Sequence, residues 1–267
     1  MGKLDGKVAF ITGAARGQGR ATALAMATEG ANIACFDICR NLSYPSYDLA
    51  GVEDMERTVA EIKALGREAL AFYGDVRSFA EIKAAVDETI ETLGGIDIVV
   101  NNAGIAGIAP SHELTEEEWD TMLDINLKGV WHGCKAVIPH MIRKQSGRII
   151  STSSVNGVKG LPYSLHYSCA KWGVVGLTKT LAQELAPYNI IVNCISPGTC
   201  DTQMVAGLAR EAGLEYAEAA RQFSSGHLIA GLVPPEAVAA AVLWLASEDS
   251  RFVTGHNLMV DAGWSCT

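Results

Sequence analysis

Three glycines spaced GxxxGxG, Gly13, Gly17 and Gly19, separate the apolar run KVAFITG at 7–13 from the Ala- and Leu-bearing stretch RATALAMATEG. A β-branched apolar run ending in glycine reads as a buried parallel strand. The stretch after the turn reads as a helix that stops at Gly30. Gly13 takes the tight turn, while Gly17 and Gly19 let the backbone and the helix N-terminus approach a pyrophosphate. Helix-end amides and the helix dipole favour that anion. The same alternation runs on to the C-terminus, with strands expected at 31–37, in REALAFYGD, at 96–101, in GRIISTSS, in NIIVNCISP and after the last helix. The expected fold is α/β: a single Rossmann-type, doubly wound parallel sheet with helices on both faces.

At 267 residues, 49% hydrophobic and 19% charged, the chain suits one large globular domain over 1–267, with no repeat or linker to suggest a second. A formal charge of −9 argues against nucleic acid or an anionic membrane as a partner. No apolar run approaches the ~18 residues that span a bilayer, and MGKLDGKVAF lacks the features of a secretory signal, so a cytoplasmic protein is expected. The seven cysteines form no CxxC pair. The apolar surroundings of Cys35, Cys134, Cys169 and Cys194 suggest packed thiols in a reducing compartment, and no metal site is expected.

Asp37 closes the second strand, where a carboxylate can accept from a ribose 2′-OH and repels a 2′-phosphate, selecting NAD over NADP. Arg16 and Arg40 pull the other way, as cations able to accept a phosphate. Residues 38–51, ICRNLSYPSYDLAG, show no periodicity and read as a loop. Thr115 and Glu118 are spaced as a capping box and open a long helix. Further on, Tyr167 and Lys171 lie four apart in YSCAKWGVVGLTKTLAQEL, whose apolar positions recur at helical spacing. Four apart on a helix is one face, which brings an ammonium near a phenol. A phenol with a pKa of ~10 is a poor base at neutral pH, and a nearby cation favours its phenolate. Ser154, at the end of GRIISTSS, could hold a substrate oxygen while Tyr167 exchanges its proton.

Taken together these motifs resemble the short-chain dehydrogenase/reductase family from Lys7 to Gly263: TGAARGQG at 12–19, Asn101-Asn102-Ala103-Gly104, MLDINLKGVW at 122–131, Ser154, Tyr167, Lys171 and Pro197-Gly198. The resemblance implies a catalytic set of Asn126, Ser154, Tyr167 and Lys171, with the backbone carbonyl of Asn126 serving a proton path. It implies that NAD is held by Gly13, Arg16, Gly17, Gln18, Gly19, Asp37 and Ile38 at the first two strands. Asp75 and Val76 are implied at the adenine, and Asn102, Ala103, Gly104, Tyr167, Lys171, Pro197, Gly198 and Thr202 toward the nicotinamide. Residues 199–233 then form a substrate flap, and a homotetramer is implied.

Within the family, the opening segment, Asp37-Ile38-Cys39 and the enlarged stretch before Asp75 resemble the carveol-dehydrogenase-like, mycofactocin-associated enzymes. That subgroup implies a lipophilic small-molecule alcohol and a dedicated redox partner for poorly exchanging NAD. The segment SPGTCDT at 196–202 departs from the subgroup pattern. The expected reaction is hydride exchange between NAD and a secondary alcohol or ketone. Alternatives are an NADPH-linked ketoreductase and, from another class, a catalytically silent NAD-binding sensor. Pocket walls are sought in Val155, Leu161, Tyr163, His166, Met204, Phe223 and Trp264. Residues 41–51 are expected to form a lid, with Tyr44, Pro45 and Tyr47 over the adenine; the plain reading is a surface insertion.

Overall fold

The computed structural model describes residues 2–267. In chain order its elements are β1 (Val8–Thr12), α1 (Gly17–Thr28), β2 (Asn32–Asp37), α2 (Val52–Ala64), β3 (Ala69–Tyr73), α3 (Phe79–Leu93) and β4 (Ile98–Asn101). They continue with α4 (Glu116–Leu123), α5 (Gly129–Lys144), β5 (Gly147–Thr152), α6 (Leu165–Leu185) and β6 (Ile190–Pro197). The chain closes with α7 (Gln203–Glu211), α8 (Tyr216–Phe223), α9 (Pro235–Ala246) and β7 (Asn257–Val260). The strands form one parallel sheet in the order β3-β2-β1-β4-β5-β6-β7. The order reverses between β1 and β4, and that switch point opens a crevice at the carboxyl ends of the strands. Among the described residues no helix is long and apolar enough to cross a membrane.

Both faces of the sheet are covered, which is why the strands read as unbroken apolar runs. Along β1, Ala9 and Ile11 pack on one side with Ile33, Ile98, Met26 and Val242, under α1 and α9. Val8 and Phe10 pack on the other with Phe36, Val99, Val137 and Val174, under α3, α5 and α6. Phe10 and Phe36 are fully buried, and each such side chain contributes ~1.5–3 kcal/mol relative to exposure.

Helix ends follow local chemistry. The Thr115 hydroxyl accepts from the Glu118 N–H (3.2 Å) while the Glu118 carboxylate accepts from the Thr115 N–H (2.9 Å), the expected capping box. Ser78 caps α3 at one end and left-handed Gly94 ends it at the other. Pro235 starts α9. The long helix expected over 115–145 is not one α-helix: a π-helical turn at Asp124–Lys128 separates α4 from α5. Such turns admit one extra residue and recur at functional sites. The cysteine reading also needs correction. Cys169 is exposed, whereas Cys39 and Cys200 join the buried thiols.

Residues 38–51 cross the crevice as a strap tied down at many points. Arg16 donates to the Asp48 carbonyl (2.6 Å) and Ser43 donates to Glu117 (2.8 Å). Ser46 donates to Glu211 on α7, and the Tyr44 hydroxyl lies 2.6 Å from His166 Nε2 on α6. The middle of the strap is therefore tied to α4, α6 and α7, while its start stays beside Asp75 through Arg40.

Candidate active site

The crevice has a volume of about 1150 Å3 including its open mouth. One end is built on the β1–α1 turn. Gly13 has φ +66°, and a Cβ there would meet Ala103 Cα at 2.8 Å, so the turn can close only on glycine. The first amides of α1 receive no side-chain cap, and the Gln18 Oε1 is buried without a partner. A helix N-terminus left open beside an orphaned polar atom fits a pyrophosphate. Gly19 lies beneath this surface, against the Gly13 carbonyl and the Asn102 amide.

Asp37 closes β2 at the rim. Its carboxylate accepts from the Ala15 N–H (3.1 Å) and the Cys39 N–H (3.4 Å). Burial pushes its pKa above the ordinary carboxylate value, opposed by backbone hydrogen bonds led by that from Ala15, and by Arg16. Each oxygen keeps a lone pair free for a ribose hydroxyl. Arg16, which also lines the crevice, donates through Nη2 to the Asp48 carbonyl (2.6 Å), so one of its five N–H groups is turned to the strap. Arg40 is exposed and 4.0 Å from Asp75. Asp75 lines the crevice beside Val76, but Arg77 grips its carboxylate (Nη2 to Oδ2 2.6 Å). Burial pushes the Asp75 pKa up, and the Arg77 contacts together outweigh that and leave it below the usual range.

The other end is organised around β5, α6 and the β4–α4 loop. Ser154 follows β5, and its Oγ accepts from the Asn156 N–H (3.2 Å). Tyr167 and Lys171 rise from α6 on one face, with the Lys171 ammonium 5.5 Å from the Tyr167 ring centroid. Lys171 is buried and donates to the Thr152 carbonyl (2.8 Å), while Ser153 donates to the Lys171 carbonyl (2.9 Å). These bonds pin the catalytic helix to the end of β5. Burial pushes the Lys171 pKa down to about 8. Burial also pushes the Tyr167 phenol up to about 12, with the neighbouring Ser154 hydroxyl pulling the other way.

Asn126 lies one layer behind the crevice, in the π-helical turn. Its side-chain amide is fully engaged by Ile105, Oδ1 accepting from the N–H (2.9 Å) and Nδ2 donating to the carbonyl (2.7 Å). A Cβ on Gly104 would lie 3.2 Å from that Oδ1 and 3.7 Å from Lys171 Nζ, which places all three together. Asn101 bonds Ser151 and Cys134. Asn102 does more of the tying: its amide donates to the Thr12 and Gly13 carbonyls (both 3.2 Å) and accepts from Thr152 (3.3 Å). Ile38, Ala103, Pro197, Gly198 and Thr202 line the crevice, Thr202 with its methyl turned toward Gly17.

The substrate walls differ from expectation. Of the side chains sought, Met204 lines the crevice. Tyr163 is exposed at 62%, and His166 is fully buried against Tyr44. Leu42, Tyr47, Leu49 and Ala50 of the strap contribute instead, with Ile105 and Ile125. The strap tyrosines bond to α6 and the β4–α4 loop, not to the Asp75 end of the crevice. Tyr47 reaches the Ala106 N–H (2.9 Å), beyond Gly104 at the other end.

Residues 7–213 match the family model for short chain dehydrogenases. Over 98% of this chain and 99% of the relative, it is 39% identical to a (−)-trans-carveol dehydrogenase of Rhodococcus erythropolis. A crystal structure of carveol dehydrogenase from Mycobacterium avium in complex with NAD superposes with a TM-score of 0.96, at 40% identity and full coverage of both chains. A short chain dehydrogenase from Mycobacterium paratuberculosis bound to NAD gives 0.93, at 39% identity and full coverage of both.

Proposed function

The chain belongs to the short-chain dehydrogenase family and is an NAD-dependent oxidoreductase of secondary alcohols and ketones; we propose that Ser154, Tyr167, Lys171 and Asn126 carry its proton chemistry on a lipophilic small molecule. The observation behind this reading is the placement of Ser154, Tyr167 and Lys171 at one end of a crevice whose other end is the glycine turn and Asp37. In oxidation, Tyr167 Oη takes the proton of the substrate hydroxyl while Ser154 Oγ holds the same oxygen. In reduction the phenol returns that proton. Lys171 opposes the burial that keeps the phenol protonated, and Asn126 completes a proton route to solvent. Nicotinamide supplies the hydride exchange. All 267 residues act as one unit, with 199–233 as the flap over the substrate. Assay of alicyclic, terpene and steroid alcohols with NAD tests the reading, and a chain that oxidises none of them refutes it.

Asp37, closing β2 at the rim of the crevice, favours this reading over an NADPH-linked ketoreductase. Asp37→Ala should narrow the preference for NAD over NADP by at least about tenfold, since ~1.4 kcal/mol of carboxylate–phosphate repulsion suffices for that. Cofactor titration of both proteins checks it, and a wild type that already prefers NADP rejects the assignment.

The strap crosses the crevice, so the cofactor leaves only when it lifts. Purified protein should carry NAD(H), which a dedicated redox partner would then turn over in place. Removal of 41–51 should speed nucleotide release at least about tenfold, because a cover slows dissociation more than association. Protein that emerges free of nucleotide, and exchanges it as fast as the trimmed variant, rejects the cover. We also read the exposed Trp131, Trp172 and Leu165 on α5 and α6 as a face covered by other copies in a homotetramer.

A further inference from the structure

Strap residues alternate between solvent and crevice. Ser46 and Asp48 are exposed, whereas Tyr47 between them is only 5% exposed. The Tyr47 hydroxyl accepts from the Ala106 N–H (2.9 Å), two residues beyond Gly104. At its root the ring lies on α7. A Cβ on Gly207 would meet Tyr47 Cβ and Cγ at 2.6 Å, so only glycine lets the flap helix approach this closely. Ser46 next to it is bonded to Glu211, one turn further along α7. The ring is thus wedged between the β4–α4 loop and the flap and fastened at both ends. It lines the same crevice as Ser154, Tyr167 and Met204, and it is close enough to Tyr167 for that residue to add to the upward push that burial gives the Tyr47 phenol.

We propose that Tyr47 is the specificity-determining wall of the substrate site, its ring setting how bulky an alcohol can reach Ser154 and Tyr167. The inference rests on the oxidoreductase reading above and adds to it the side chain that selects among substrates. A loop that covers the cofactor thereby also shapes the substrate site. The wall is rigid because neither end of the ring can shift alone. Moving the hydroxyl end breaks the Ala106 hydrogen bond, and moving the root end displaces α7. Gly207 belongs to the same device, since any side chain there pushes the flap and the ring apart. A buried aromatic wall discriminates by shape, and a single methylene in a pocket is worth ~10–200-fold in relative kcat/KM. Removing a whole phenol ring should therefore move the size limit at least about tenfold.

The test compares kcat/KM for a compact and a bulky secondary alcohol, cyclohexanol and a fused-ring sterol, in wild type, Tyr47→Ala, Tyr47→Phe and Gly207→Ala. NAD content and melting temperature are recorded for each to establish folding. Tyr47→Ala should raise the bulky-to-compact ratio at least about tenfold. Tyr47→Phe keeps the ring and should leave the ratio within about threefold of wild type. Gly207→Ala, which displaces the ring without removing it, should shift the ratio while Tyr47 is still present. Should Tyr47→Ala fail to fold, the Gly207→Ala ratio alone decides. An unmoved ratio in folded variants, with wild type turning over the compact alcohol, overturns this inference and leaves the oxidoreductase reading standing. A wild type that oxidises neither alcohol nor any in the wider screen overturns both.

Discussion

Tyr167→Phe should fold, bind NAD as wild type does, and lose about two to four orders of magnitude in kcat. The substitution deletes one oxygen and leaves the ring that packs against the α6 side of the core. General acid–base catalysis by one positioned group is worth ~10²–10⁴, and the Ser154 hydroxyl cannot replace this one. Ser154 accepts from the Asn156 N–H and, in the proposed mechanism, donates to the substrate oxygen; it has no neighbouring base to receive a proton. Substrate binding should change little, because that Ser154 contact survives. Stability should stay within ~1 kcal/mol, since the lost hydroxyl is one that burial already holds neutral, its pKa pushed up to about 12. The same value gives oxidation a direction in pH. The phenolate fraction rises about tenfold per pH unit below the pKa, so wild-type oxidation should climb through the neutral range while ketone reduction does not. Steady-state kinetics in both directions, with titration of NAD by fluorescence, checks these outcomes together. A Phe variant retaining near-normal kcat would remove Tyr167 from the mechanism.

The difference between what the sequence foretold and what it hid has a physical pattern. Asp37, Asn102 and Pro197 stand at strand ends, and a strand's period of two with its glycine and proline punctuation locates such ends from local information. Tyr167 and Lys171 needed only helical spacing to be placed on one face. The Thr115–Glu118 box is likewise local. The strap is the reverse case. It carries no periodicity, and its position is decided by partners far along the chain: Tyr44 at His166, Ser46 at Glu211, Tyr47 at Ala106. No short-range signal could have placed the Tyr47 hydroxyl at the Ala106 N–H. The π-helical turn at Asn126 hides for a related reason, since one extra residue per turn barely disturbs an apolar pattern. Cys169 went astray through composition. Its apolar neighbours suggested burial, but Ala170 takes the core side of α6 and the position before it, Cys169, points to solvent.

Lys171→Met should abolish most turnover and yet make the protein more stable. Lys171 is buried, and no carboxylate pairs with it among the described residues. Its ammonium has the Thr152 carbonyl at 2.8 Å. Burial pushes its pKa from 10.5 down to about 8, a shift worth ~3 kcal/mol at 1.36 kcal/mol per unit. Methionine fills much of the same volume without charge, at the cost of one hydrogen bond of ~1 kcal/mol. A net gain of about 1–2 kcal/mol at pH 7 follows. The pH dependence separates this from mere repacking. Between about pH 8 and 10.5 the unfolded lysine holds a proton that the folded one has released, so the stability of wild type rises with pH across that window. Below about pH 8 both states are protonated and the burial cost is present in full. The advantage of the methionine variant should therefore be largest at neutral pH and shrink as pH climbs toward 10. Denaturant unfolding of both proteins at pH 7, 8, 9 and 10 measures it. A variant less stable than wild type by a constant amount at every pH would mean that Lys171 is held for packing. In that case the buried ammonium would not be a strain accepted for chemistry.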